Sequence, residues 1–234
     1  LALQCQKSGY NIKYLHKTRV LNKEDQSRFG GRVIFPIHGL NGDVVGFGAR
    51  ILNDKSKSAK YLNSDSSDLY QKSKILYGLF LAKKHIKKFD SCYIVEGYTD
   101  VMALHQIGIK NVVSNCGTAL TKDQIRLINR FTNNIIILFD SDNAGINATL
   151  KAIDAILEQN MMPQVLQLPS SEDPASFVTK NELNDITKYI ELKTVDFIEF
   201  KYSLIEDSDT SDLIKITQTL YLSVKIQYFV DAKI

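Results

Sequence analysis

The sequence predicts an α/β protein, in which a parallel sheet flanked by helices follows a small mixed α/β subdomain and precedes a helical segment. Three observations predict it. Between residues 92 and 168, short apolar runs alternate with stretches of helical period, the pattern of strand–helix–strand units. Before residue 50, two runs rich in β-branched and aromatic residues flank Asn41-Gly42. After about residue 178 the chain is helical in character, and no further strand is expected there. The organisation this implies is a basic N-terminal subdomain over 1–88, a sheet domain over 89–178 and a helical C-terminal subdomain over 179–234.

Each element has its own justification. Residues 33–37 and 44–47 flank Asn41-Gly42, the dipeptide best suited to the two positive φ angles of a type I′ turn, so a β-hairpin is expected. Residues 53–74, rich in Ser, Asn and Lys, read as a long loop. Residues 79–89 read as an amphipathic helix, with Lys83, Lys84, Lys87 and Lys88 on one face and Leu79, Ala82, Ile86 and Phe89 on the other. Strands are expected at 92–95, 112–114, 135–139 and 165–168, separated by helices at 98–107, 121–131 and 145–159. Thr121 and Gln124 supply a capping box for the second of these helices. Ile146, Leu150, Ile153 and Leu157 mark the buried stripe of the third.

Composition bounds the class. At 234 residues, 44% hydrophobic and 24% charged, the chain makes one large domain or two small ones, and disordered, collagen-like and disulfide-framework classes are excluded. Cys5, Cys92 and Cys116 are odd in number and widely spaced, so neither a disulfide framework nor a zinc knuckle is expected, and the reading is of reduced thiols in the cytoplasm. The four histidines form no metal-binding pair. The apolar run 135–139 is far short of the roughly 20 residues of a membrane-spanning helix. The N-terminus has neither an initiating Met nor a signal sequence, which reads as a piece of a larger chain.

The net charge of +3 conceals an asymmetry, because residues 1–88 carry +11 and residues 89–234 carry −8. The basic part suits a polyanion, and Arg50, Lys60, Lys72 and Lys74 lie among Tyr61, Tyr70 and Tyr77, whose rings could stack bases or pack in a core. The acidic part concentrates at strand ends. The strand at 92–95 runs into Glu96-Gly97-Tyr98-Thr99-Asp100, with Gly97 expected to allow a sharp strand-to-helix turn. The strand at 135–139 runs into Asp140-Ser141-Asp142-Asn143-Ala144-Gly145, and Glu172-Asp173-Pro174 follows the strand at 165–168. In an open parallel sheet, ligands bind beyond the carboxyl ends of the strands. Carboxylates crowded there repel one another unless cations bind, and Mg²⁺ suits such a donor set because it keeps several waters and accepts phosphate oxygens. Each motif also has a plain structural reading, as first-turn acids for Glu96 and Asp100 and as helix caps for Asp142 and Asp173.

EGYTD, DSDNAG and EDP in this order resemble the Toprim domain of bacterial primases, topoisomerases and some nucleases. RVIFPI at 32–37, VVGFGARIL at 44–52, KYLNS at 60–64, LYGL at 76–79 and NCGTALT at 115–121 narrow the resemblance to the catalytic core of bacterial replicative primases of the DnaG type, over about residues 7–180. What the resemblance implies is a DNA-directed RNA polymerase that makes short primers on single-stranded DNA from nucleoside triphosphates. It implies Glu96, Asp100, Asp140, Asp142 and Asp173 as ligands of Mg²⁺ or Mn²⁺, with Glu96 also acting directly in catalysis. It implies Arg50, Lys60, Asn63 and Lys72 as template or nucleotide contacts. Relatives of this type carry a zinc ribbon and a helicase-binding region, neither of which is recognisable here, so zinc and direct helicase contact are not expected of this span.

Two positions depart from the family pattern. Ala175 stands where a second acid is usual, which predicts a more weakly held outer metal, and Ser141 stands where Gly is usual. The rival readings are a Toprim nuclease or topoisomerase, for which no tyrosine is identified as a nucleophile, and a non-catalytic module that binds single-stranded DNA.

Overall fold

The computed structural model describes residues 1–53, 58–206 and 211–231. Residues 54–57 of the expected long loop, and 207–210 and 232–234 of the expected helical segment, lie outside the described residues. The chain forms two compact units, Leu1–Phe80 and Leu81–Ile234.

The first unit opens with α1 (Ala2–Lys7) and α2 (Ile12–Lys17), the helical part of the mixed subdomain. Asn11 caps α2, its side-chain oxygen accepting the Lys13 amide at 2.9 Å. β1 (Arg32–His38), β2 (Val44–Ile51) and β3 (Tyr61–Asn63) then form an antiparallel sheet in that order. The β1–β2 hairpin is the expected one, but its turn is not. Five residues, 39–43, connect the strands, the Gly39 carbonyl accepts the Gly42 amide at 3.0 Å, and of Asn41 and Gly42 only Gly42 has a positive φ, 96°. A type I′ turn needs two. The register shifts between Ile37 and His38, so a bulge accompanies the longer connection. Gly42 also lies close under the Phe80 ring, which a β-carbon there, 2.6 Å away, would push aside. β3 and a 3-10 turn at Lys72–Lys74 fall inside the segment read as loop. Three residues are too few to show a period.

The second unit holds a five-stranded sheet in the order β5-β4-β6-β7-β8. Its elements, from the helix that bridges the unit boundary, are α3 (Leu79–Phe89), β4 (Cys92–Val95), α4 (Tyr98–Gln106), β5 (Val112–Ser114), α5 (Lys122–Asn129), β6 (Ile135–Ile137), α6 (Asn143–Leu157), β7 (Gln164–Leu166), α7 (Pro174–Lys180), α8 (Leu183–Lys193), β8 (Thr194–Asp196), α9 (Phe197–Glu206) and α10 (Asp212–Asp231). β4 to β7 are mutually parallel. β4→β5 and β6→β7 cross the sheet in opposite directions, and right-handed crossovers therefore place α4 and α6 on opposite faces. Accordingly α4 packs on α7 and α5 on α6. Covered on both faces, the parallel strands are apolar, with Ile94, Val112, Val113 and Ile137 fully buried.

Two expectations are corrected here. α3 buries Leu79, Ala82 and Ile86 as their spacing demands, but Phe89 remains 54% exposed, stacked on His85 one turn earlier at the helix end. The chain also returns to the sheet after residue 178, where β8 pairs antiparallel with β7. Locally, 194–196 reads only as a helix break. The Thr194 hydroxyl donates to the Ile190 carbonyl at 2.6 Å, closing α8, and the Asp196 carboxylate accepts the Ile198 and Glu199 amides at 2.8 and 2.9 Å, opening α9. Its partner strand is some thirty residues away in sequence, beyond the reach of any local pattern.

Candidate active site at the carboxyl ends of β4 and β6

The order β5-β4-β6-β7 puts the topological switch between β4 and β6, which is where an open parallel sheet binds its ligand. Glu96 follows β4 directly. One turn on, Asp100 reaches back to accept the Gly97 amide at 2.8 Å. Gly97 has φ −118°, ordinary extended backbone, so it is not needed for a sharp turn as expected. It matters for room, because a β-carbon there would lie 3.0 Å from the Asp100 carboxylate. Gly145 is the stricter case. A β-carbon on it would collide with the Asp140 backbone carbonyl, so the first turn of α6 can lie against the end of β6 only with glycine at this position.

The plain reading of Asp142 and Asp173 is correct as far as it goes. Asp142 caps α6 by accepting the Gly145 amide at 2.7 Å, and Asp173 caps α7 by accepting the Ser176 amide at 2.7 Å. One oxygen of each carboxylate is thereby oriented by a backbone amide.

The five acids form one electrostatic group. Burial pushes the Asp140 carboxyl up to about 7, and the charges of Glu96, Asp100, Asp173 and Asp142 all push it the same way. Glu96 is raised first by burial and then by Asp100 and Asp142, against a stabilising contact from the Asp140 amide, which donates to its carboxylate at 3.4 Å. Asp100, 6% exposed, is raised by burial and by Asp173, while the Gly97 and Ala175 amides hold it down. Glu172 has a different task. Lys180 at 2.6 Å and the Ser176 hydroxyl hold its carboxyl below the usual range, and it serves α7 instead of the cluster.

Among the described residues, no three His, Cys, Asp or Glu side chains already stand in ligating geometry. The donor set nonetheless suits a hard cation that takes one or two carboxylates and completes its shell with water and phosphate. Ala175 contributes its amide toward Asp100 and no carboxylate.

The basic candidates lie in the first unit. Arg50 on β2 faces Tyr61 on β3 directly, its guanidinium 5.8 Å from the ring centre. Tyr61, Asn63 and Lys72 line one shallow groove of about 540 Å³, whereas Lys60 precedes β3, exposed and outside that lining. Of the three tyrosines only Tyr61 is available for stacking. Tyr70 is 1% exposed over Gly46 and belongs to the core, and Tyr77, half-buried, meets the Phe35 ring edge-on at 6.5 Å.

Sequence reasoning passed over two serines. The Ser141 hydroxyl donates to the Pro169 and Glu172 carbonyls at 2.7 and 3.0 Å, tying the Asp140–Asp142 loop to the segment that carries Asp173. The Ser114 hydroxyl donates to the Glu96 carbonyl at 2.7 Å. Only the position of Ser141 inside the acidic motif hinted at such a role.

Residues 93–178 match the family model described as Toprim-like, and residues 1–83 match that of the DNA primase catalytic core, N-terminal domain. The DNA primase of Clostridium acetobutylicum is 38% identical over 204 residues, covering 85% of this chain and 33% of that protein. The RNA polymerase domain of Mycobacterium tuberculosis primase DnaG superposes with a TM-score of 0.83 at 30% identity, covering 94% of this chain and 74% of that one. A DnaG primase catalytic domain bound to single-stranded DNA superposes at 0.77 with 32% identity, covering 97% of this chain and 79% of that one. The sheet with its acidic switch point is thus of the Toprim class. More narrowly, the chain belongs to the bacterial DnaG-type DNA primase family, and it spans about a third of the length of the curated primase it matches.

Proposed function

We propose that this chain is the polymerising core of a primase, joining ribonucleotides on a single-stranded DNA template. The observation that carries the reading is the convergence of Glu96, Asp100, Asp140, Asp142 and Asp173 on the switch point, where Asp140 is raised to about 7 by burial and by the four like charges around it. Such a group is unfavourable unless cations and phosphates complete it. Mg²⁺ or Mn²⁺ held there would polarise the α-phosphate and neutralise the leaving pyrophosphate. Asp140, Asp142 and Asp173 would hold it, with Asp100 deeper in the crevice. Glu96, half-buried and with its carboxyl raised above the ordinary range, would take the proton from an attacking 3′-hydroxyl. The 3′-oxygen bonds to the α-phosphorus as the bond to the bridging oxygen breaks, and pyrophosphate leaves.

Arg50, Lys60, Asn63, Lys72 and Tyr61 would contact template or nucleotide, with the Tyr61 ring offered to a base and the cations to phosphates. The solved relative bound to single-stranded DNA supports this partner. No described helix is long and apolar enough to cross a membrane. The test is template-dependent ribonucleotide incorporation with Mg²⁺ or Mn²⁺, wild type against Asp140→Asn. Loss of at least a hundredfold is expected. Robust synthesis by the variant would sink the reading, and DNA cleavage or supercoil relaxation without synthesis would turn it toward the nuclease or topoisomerase class.

A further inference from the structure

Beside Glu96 lies a cleft of about 280 Å³, walled by Phe139 at the end of β6, Ala148 and Lys151 on α6, and Asn115 and Thr118 in the loop after β5. Its wall is built on the catalytic acid. Ser114 and the Gly117 amide both donate to the Glu96 carbonyl, at 2.7 and 3.0 Å, and Cys116 and Gly117 take positive φ angles of 58° and 69° to make that fit. A non-glycine residue in that region is strain that its surroundings must hold in place.

Two groups in the cleft await a ligand. Asn115 is 5% exposed, and its amide nitrogen donates to the Thr118 carbonyl at 2.6 Å, which fixes the orientation of the amide because a carbonyl cannot donate. Its Oδ1 is therefore a buried acceptor, and it has no donor among the described residues. Buried polar groups are ordinarily satisfied, so an exception needs an explanation. Lys151 is exposed at the rim and enters no ion pair among the described residues.

We infer that this cleft holds the nucleotide that supplies the attacking 3′-hydroxyl, the initiating nucleotide or the primer end. The inference rests on the primase reading. Nucleotidyl transfer brings two nucleotides to one carboxylate group, and they differ in charge. The triphosphate needs divalent cations and several positive side chains. The cleft has one cationic side chain, Lys151, with the neutral Asn115, Thr118 and Asn147, the Glu96 carboxylate and the Phe139 ring, and its volume lies at the lower edge of small-molecule sites, roughly 300 Å³ and upward. It suits one sugar and base with a single phosphate at Lys151, a hydroxyl or N–H of that nucleotide donating to Asn115 Oδ1, and the 3′-hydroxyl toward Glu96.

AMP separates the two roles, since it offers a 3′-hydroxyl but has no pyrophosphate to displace. Calorimetric titration of AMP into the whole chain with an oligo(dT) template is expected to show binding weakened at least tenfold in Lys151→Glu and Asn115→Ala, and restored in Lys151→Arg. In dinucleotide synthesis, Lys151→Glu raises KM for AMP at least tenfold, with kcat at saturating AMP within threefold and KM for the incoming triphosphate within twofold. AMP binding that is absent from the wild type, or unchanged in Lys151→Glu, overturns the assignment. So does an equal rise in both KM values, which would give the cleft to the triphosphate. Because Lys151 is exposed, its replacement does not threaten the fold. A wild type that incorporates no nucleotide defeats the primase reading, while the titration, which needs no turnover, still decides the cleft.

Discussion

The Ser141 hydroxyl accepts the Glu172 amide at 3.0 Å and the Ser141 amide donates to the Glu172 carbonyl at 3.2 Å, so side chain and backbone together fasten the loop after β6 to the loop after β7. These loops carry Asp140 and Asp142 on one side and Asp173 on the other. A glycine at 141 keeps the backbone bond and loses the side-chain one. Ser141→Gly and Ser141→Ala should each destabilise the protein by about 1 kcal/mol, the usual net value of a hydrogen bond. They should also raise the Mg²⁺ concentration for half-maximal primer synthesis severalfold, with less change in the rate at saturating Mg²⁺. Urea unfolding and a Mg²⁺ titration check the two effects.

The raised acids make metal-free stability depend on pH. An unperturbed Asp titrates near 3.9, and Asp140 is lifted to about 7 by burial and by its four acidic neighbours. Its folded form therefore binds a proton more tightly than the unfolded chain does, so the contribution to stability is complete below about pH 4 and is lost as pH rises toward about 7. Other groups add their own slopes, so the comparison is with Asp140→Asn. In EDTA the variant should be more stable than wild type at pH 8, with a difference that shrinks toward pH 4. Mg²⁺ should stabilise wild type more than the variant.

Gly145→Ala tests the close approach of α6 to the end of β6. The added methyl collides with the Asp140 carbonyl, which is backbone and cannot swing aside. Overpacking of this kind costs roughly 1–3 kcal/mol, and relief by moving α6 would displace both Asp140 and Asp142. Lower stability in urea together with a weakened Mg²⁺ response is the expected pair of results. Gly97→Ala should be milder, because the neighbour there is the Asp100 side chain.

Arg50, Tyr61 and Tyr70 should separate binding from folding. Arg50→Ala should weaken single-stranded DNA binding and reduce the salt slope of log K by about 1. Tyr61→Ala should cost roughly 1–3 kcal/mol of binding if a base stacks there. Tyr70→Ala should instead destabilise the Leu1–Phe80 unit, because Tyr70 is 1% exposed against Gly46. Fluorescence anisotropy at several salt concentrations and thermal melts distinguish the three.

Ala175→Asp supplies a carboxylate beside Asp100, where this chain offers only a backbone amide. If the outer cation is held weakly for want of that acid, the substitution should lower the Mg²⁺ requirement for synthesis severalfold while lowering metal-free stability, both readable in one titration series.

What the sequence determined by itself is the class and the acids. Alternating apolar runs and helical stripes specify a parallel sheet because each element must bury one face, and that requirement is local: the strands at 92–95 and 112–114, the Thr121–Gln124 cap and the burial of Ala82 and Ile86 all follow from it. The acids were legible because Glu96 follows β4 directly and Asp140 and Asp142 lie in the short segment between β6 and α6. Tertiary structure decided the rest, for a common physical reason: each outcome depends on a partner distant in sequence. β8 exists because β7 lies beside it, and Tyr70 is core because Gly46 leaves room for its ring. The Asp140 carboxyl is raised because the fold buries it and brings Glu96, Asp100 and Asp173, from other strands and loops, against it.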